Sequence, residues 1–159
     1  MIDMLEWAAA LPEVTCREGE ELIREGVAHQ TLFVLLDGAM EIVREDVRIT
    51  VVDAPGAVFG EMSALLGSAA TATVRALRDS TLRRSDDPQA FLGTNPPVAL
   101  AVATMLARRL DTINGYLVDL RHQYGDRDNL GMVDTVLESL RHHQVRIEPG
   151  SERERDAPY

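Results

Sequence analysis

The sequence predicts a mainly β fold with appended helices: a small β-sandwich or jelly-roll barrel with a short internal helix, then a long C-terminal helix and a short terminal one. Three observations carry that expectation. Between Val14 and about Arg84, apolar runs of roughly four to six residues are separated by turn residues about every 8 to 12 positions, the texture of many short strands. One stretch inside that region, Gly60–Gly67 (Gly-Glu-Met-Ser-Ala-Leu-Leu-Gly), is poor in β-branched residues and has helix composition. Beyond Arg84 the apolar positions change to a helical period.

The elements follow in order. Leu5, Trp7, Ala8 and Leu11 suit a short amphipathic helix that Pro12 stops. The run Thr31–Leu36 ends at Asp37-Gly38, Met40–Arg44 ends at Glu45-Asp46, and Arg48–Val52 ends at Asp53-Ala54-Pro55-Gly56; a further run covers Thr71–Ala76. Asp86-Asp87-Pro88 is a helix start, with acids at the positive end of the dipole and Pro near the first turn. Asn95-Pro96-Pro97 opens a second helix that can continue to Tyr124. Within it Leu106, Leu110, Ile113, Leu117, Leu120 and Tyr124 alternate spacings of four and three, a heptad seam that continues backward through Ala103 and Ala99. Gly115 is tolerated inside that helix at about 1 kcal/mol relative to Ala. The seam predicts pairing with a second copy. Domain boundaries are expected at 1–124, including the dimerisation helix 97–124, then a short helical appendage 125–143 carrying Leu130, Val133, Leu137 and Leu140, then a disordered tail 144–159.

Composition excludes several functions. Sixteen basic residues face 26 acidic ones, for a net charge of −10. A nucleic-acid face needs enough cations to displace phosphate counterions, so no direct DNA binding is expected. Docking on anionic lipid is disfavoured for the same reason. The longest mainly apolar stretch, Pro97–Ala107, is shorter than the roughly 18 residues of a membrane span. With no basic leader, and with Cys16 as the single cysteine, a reducing cytoplasm is the expected setting. Cys16 falls at a strand position and reads as a small buried hydrophobe. The histidines (His29, His122, His142, His143) show no strand spacing suited to a metal, and no Walker or Gly-x-Gly-x-x-Gly motif appears. No cofactor, metal or catalytic constellation is therefore expected, and the chain reads as non-enzymatic.

Phe59-Gly60-Glu61-Met62-Ser63-Ala64-Leu65-Leu66, followed by Thr71-Ala72-Thr73-Val74, resembles the cyclic nucleotide-binding domain family. Gly19–Gly26, Leu32–Gly38, Pro55-Gly56 and Ala107–Leu110 fall in the same order, so the resemblance spans roughly residues 5 to 124, without a DNA-binding domain after it. It implies a regulatory module whose ligand is a cyclic mononucleotide, cAMP or cGMP, with an unidentified downstream protein partner. Phe59, Gly60, Glu61, Met62, Ser63, Ala70, Thr71 and Ala72 are the implied ligand-binding residues. Glu61 would accept a hydrogen bond from the ribose 2′-hydroxyl, while Gly60 lets the backbone approach closely and the amides of Met62 and Ser63 face the phosphate. On the long helix, Arg109 matches a position that pairs with the motif glutamate and Asn114 one that reaches the base.

The chain departs from the family at Ala70, where the phosphate-pairing Arg is expected. A charge-assisted hydrogen bond contributes about 1.5–3 kcal/mol, so its loss weakens binding by roughly ten- to two-hundredfold. Thr71 is left as a phosphate contact, and Arg75, on the strand face of Thr71 and Thr73, is a candidate substitute. A degenerate, ligand-free scaffold that keeps the barrel and the dimer helix is the alternative reading.

Overall fold

The computed structural model describes residues 3–124, together with Gly131, Thr135, Val136, Glu138 and Ser139. In chain order the elements are α1 (Met4–Ala8), β1 (Glu13–Cys16), β2 (Glu21–Ile23), β3 (Leu32–Arg44), β4 (Val47–Val52), β5 (Val58–Phe59), α2 (Glu61–Leu66), β6 (Thr73–Ser85), α3 (Pro88–Thr94) and α4 (Pro96–Tyr124). Two compact units divide the chain, residues 1–108 and 109–159, and the division falls inside α4.

All strands of the first unit pair antiparallel. The order is β1-β6-β3-β4, with β2 also on β6 and β5 also on β3. The runs at 31–36 and 40–44, expected as separate strands, form one 13-residue strand, β3. Its register against β6 slips between Leu35 and Met40. Such irregularities bend a strand, which lets one long strand serve both layers of a sandwich. The Ser80 hydroxyl accepts the Ala39 N–H at 3.1 Å and donates to the Arg78 carbonyl at 2.8 Å, satisfying backbone groups at the bend. β3 and β4 are joined by Glu45-Asp46, both at positive φ (50° and 62°), the geometry of a type I′ hairpin turn.

β3 shows why its apolar run does not alternate with polar residues. Phe33 and Leu35 face a core shared with Cys16, Ile23, Met40, Phe59, Ala70, Val74, Ala76 and Leu82. Leu32 and Val34 face the other way, into a second core with Ala8, Val58, Leu92, Val98 and Val102. The strand is buried on both faces because α1, α3 and the start of α4 cover its outer side. Cys16 is buried, as its strand position predicts.

The helix starts are where the local chemistry places them. Asp87 caps α3, its Oδ1 accepting the Ala90 N–H at 2.9 Å, with Pro88 in the first turn. Asn95 ends α3 and opens α4: its side-chain amide donates to the Phe91 carbonyl at 2.7 Å, and its own carbonyl accepts from Val98 and Ala99.

In the second unit, the stretch of α4 from Arg109 carries the distal seam. Leu110, Ile113 and Leu120 are 45, 53 and 42% exposed, and Leu117 is half-buried. Beyond Tyr124 the five described residues are helical. Leu130, Val133, Leu137 and Leu140 of the expected appendage, and the expected tail from 144, lie outside the described residues. No single described helix is long and apolar enough to cross a membrane.

Candidate functional site

The signature segment lies between β5 and β6. Gly60 caps α2 in the left-handed region (φ 86°, ψ 1°), and Gly67 ends it in the same region (φ 64°), its N–H on the Ser63 carbonyl at 2.9 Å. Only a residue without Cβ fits at 60. A Cβ there would land on the Thr31 carbonyl oxygen and lie 3.0 Å from the His29 imidazole. The helix therefore starts pressed against the segment that leads into β3.

α2 has two distinct sides. Glu61, Ser63 and Ala64 are buried, Glu61 being only 4% exposed. Met62, Leu65 and Leu66 are exposed. Phe59, immediately before the turn, sits in the sandwich core. Glu61 is held inward at the helix start and makes its own contacts within the fold.

After α2 the chain is pinned by backbone bonds. Ala28 and Ala69 form an isolated antiparallel bridge. The Ala70 N–H donates to the Val27 carbonyl at 3.0 Å, and the Ala70 carbonyl accepts the Gly26 N–H at 2.8 Å. The Ala70 side chain is 5% exposed and belongs to the apolar core. Thr71 is exposed and Ala72 half-buried, both in the bend before β6. The Thr73 hydroxyl oxygen accepts the Glu25 N–H at 3.0 Å.

Arg75 does not serve as the substitute cation. It lies opposite Glu41 in the β3–β6 register. Its neighbours Val74 and Ala76 face the core that holds Ala70, so Arg75 points to the opposite face. There its Nε donates to Glu41 Oε1 at 2.6 Å, and Arg48 Nε donates to Glu41 Oε2 at 2.7 Å. The hydrogen bond from Arg75 is the largest cause holding the Glu41 carboxyl below the usual carboxylate range; burial opposes it and Arg48 reinforces it. Thr71, expected on the same strand face as Arg75, precedes the strand, because β6 begins at Thr73.

The residues Phe59–Ser63 and Ala70–Ala72 are thus all brought into the first unit. Arg109 and Asn114 belong to the second. Asn114 is half-buried, and its Oδ1 is shielded from solvent without a hydrogen-bond partner.

Sequence reading missed two contributors. Glu41 holds two arginines on the outer face of the sheet, and His29 and Thr31 back the Gly60 turn. Both depend on which strands pair, and neither has a local signal. A cavity of about 910 Å³ opens beside β1 and β2, with Val14, Cys16, Leu22 and Phe33 in its wall. None of the signature residues lines it. Among the described residues no cluster of His, Cys, Asp and Glu is arranged to hold a metal ion.

Comparison with known proteins agrees with this geometry. The sequence profile of the cyclic nucleotide-binding domain matches residues 13–90. Among solved structures, the Thermus thermophilus catabolite activator protein superposes with a TM-score of 0.65 at 25% identity, over 72% of this chain and 57% of that one. The N-terminal domain of a transcriptional regulator from Streptomyces coelicolor A3(2) gives 0.53 at 30% identity, over 73% of this chain and 86% of that one. PKAR CBD2 with Sp-2Cl-cAMPS bound gives 0.58 at 24% identity, over 72 and 75% of the two chains, a likeness of fold. No curated protein sequence matches significantly. The chain belongs to the cyclic nucleotide-binding domain family. It spans 57% of the length of the Thermus protein.

Proposed function

We propose that the chain is a non-enzymatic regulatory module that takes a cyclic mononucleotide, cAMP or cGMP, at the turn between β5 and β6, with weakened affinity. The observation that carries this reading is the Gly60–Glu61 start of α2. A left-handed glycine, whose missing Cβ lets α2 start against the Thr31 carbonyl, sets a buried carboxylate at the first position of the helix, where the family motif carries its ribose-binding glutamate. In this reading Glu61 accepts the ribose hydroxyl. Met62, Ser63, Thr71 and Ala72 surround the phosphate. From the long helix, Arg109 matches the family's partner of the motif glutamate and Asn114 its base contact.

The weakening follows from Ala70. Its side chain is apolar and its backbone N–H is already bonded, so it offers the phosphate neither charge nor donor. The direct experiment is calorimetric titration of the native chain with both 3′,5′-cyclic mononucleotides. Binding in the micromolar range or weaker is expected, and submicromolar binding would contradict the weakening.

The module works as a dimer in a cytoplasmic setting, with a downstream protein partner, and does not bind DNA directly. Leu110, Ile113 and Leu120, exposed on α4, supply the pairing seam, because monomers rarely leave such a stripe uncovered. Leu110→Asp together with Leu117→Asp should convert a dimer to a monomer in sedimentation. An unchanged mass in the double variant, or a monomeric native chain at tens of micromolar, would overturn the seam. The core burial of Ala70 also suits a second reading, a scaffold that keeps the fold without a ligand; absence of binding with an intact dimer would select it.

A further inference from the structure

Resting on the ligand site just proposed, we infer that this site does not use the negative charge of a phosphate, so that its ligand class extends to uncharged ribosides, which bind at least as well as the corresponding cyclic nucleotides.

The inference starts from where the cations are. The first unit has nine arginines and no lysine against sixteen acidic residues, a net charge of −7 for residues 1–108. Six of these nine are paired elsewhere: Arg24 with Glu21, Arg48 and Arg75 with Glu41, Arg83 with Glu13, Arg84 with Asp86, and Arg78 with the Gly38 carbonyl; Arg109, which the proposed site takes from the second unit, is matched to Glu61 rather than to the phosphate. Between Phe59 and Val74 the chain carries no basic residue, and its one charged side chain is the buried carboxylate of Glu61.

Donors are as sparse as cations at the Ala70 end. The Ala70 N–H is bonded to Val27, and the Thr73 hydroxyl, which accepts the Glu25 N–H, has only its own proton to donate. Six-residue α2 is too short to offer much dipole in compensation. Thr71 and the amide of Ala72, together with the Met62 and Ser63 amides, are the neutral donors the proposed site offers a ligand. Neutral donors of this kind can satisfy a neutral alcohol. They do not offset the desolvation of an anion beside an apolar core in a negatively charged unit. The recognition that remains, carboxylate to ribose hydroxyl, is indifferent to the phosphate.

The test is calorimetric titration of the full chain with adenosine, guanosine and their 3′,5′-cyclic monophosphates under one buffer and ionic strength. The expected result is a nucleoside binding as tightly as its cyclic nucleotide or more tightly, with no strengthening of the cyclic nucleotide at low salt. A cyclic nucleotide tighter than its nucleoside by more than about threefold overturns the inference and leaves the proposed site standing. No binding of any of the four at millimolar concentration overturns the site and the inference together. In Ala70→Arg the preference should shift toward the cyclic nucleotide by about ten- to two-hundredfold. An unchanged ratio in a folded Ala70→Arg chain would count against the inference. The native-chain comparison stands on its own if that variant does not fold.

Discussion

Replacing Gly60 by Ala separates two effects that a glycine turn combines. Gly60 and Gly67 bracket α2, both in the left-handed region, at φ 86° and 64°. An alanine at either position meets the same backbone penalty, roughly 1–2 kcal/mol for an L-residue in that region. Either also gains a few tenths to 1 kcal/mol, on the order of the unfolded-chain entropy removed. What differs is space. A Cβ on Gly67 has no atom within 4 Å, whereas one on Gly60 lands on the Thr31 carbonyl oxygen. That oxygen is backbone at the entry to β3 and cannot swing aside as a side chain would. Overpacking of this kind typically costs about 1–3 kcal/mol. The difference between the two variants isolates that quantity. In urea denaturation Gly60→Ala should fall below Gly67→Ala by about 1–3 kcal/mol at constant m. In a chain of 159 residues that is about 2–4 °C in Tm for each kcal/mol. Ligand titration of Gly60→Ala should also weaken, since relief of the clash displaces Glu61. Two variants agreeing within about 0.5 kcal/mol would refute the claim that α2 is wedged against the Thr31 segment.

Two further predictions concern the sheet. Glu41 has its carboxyl held below the usual carboxylate range, so its contribution to stability is present above the unfolded value of about 4.3 and is lost as pH falls through the folded value. Urea midpoints measured from about pH 6 down to about pH 3 should therefore show a shallower acid decline in Glu41→Gln than in the native chain; an identical slope would remove Glu41 from the acid response. At the β3–β4 turn, Glu45→Asn with Asp46→Gly should raise stability by about 0.5–1 kcal/mol, because both positions already have positive φ, and a loss would show that the side chains there matter more than the backbone.

Most of the element order was legible in the sequence because its signals are local. The Asp87 cap, the break at Asn95-Pro96, the short helix after Gly60 and the strand end at Glu45-Asp46 each depend on a few adjacent residues. What escaped was non-local. The fusion of two runs into β3 needed the long β6 as partner, since Asp37-Gly38 reads as a turn when its neighbours are unknown. The parity of Arg75 with Thr73 is readable along the strand, but its partner is not, because Glu41 lies 34 residues away and meets it only through strand pairing. The signature segment was legible as a motif, and its departure at Ala70 was visible as a letter. The consequence of that departure was not, because it depends on which way position 70 faces.

Position 70 faces the core, and this bears on how ligand and stability are linked. An arginine there would place a guanidinium among Ile23, Phe33, Phe59 and Val74 whenever the site is empty. An uncompensated buried charge costs several kcal/mol, so such a domain would be stabler with its phosphate ligand than without it. Alanine removes that dependence: the empty state of this chain is well packed, and a ligand adds only its own binding energy. Ala70→Arg should then lower the unfolding temperature of the unliganded chain, and saturating cyclic nucleotide should recover more of it than the same ligand adds to the native protein, in proportion to the gain in affinity. Thermal shift at matched ligand concentration measures both. A variant as stable as the native chain without ligand would show that the arginine escapes the core, and the core placement of position 70 would then not account for the proposed weakening of phosphate recognition.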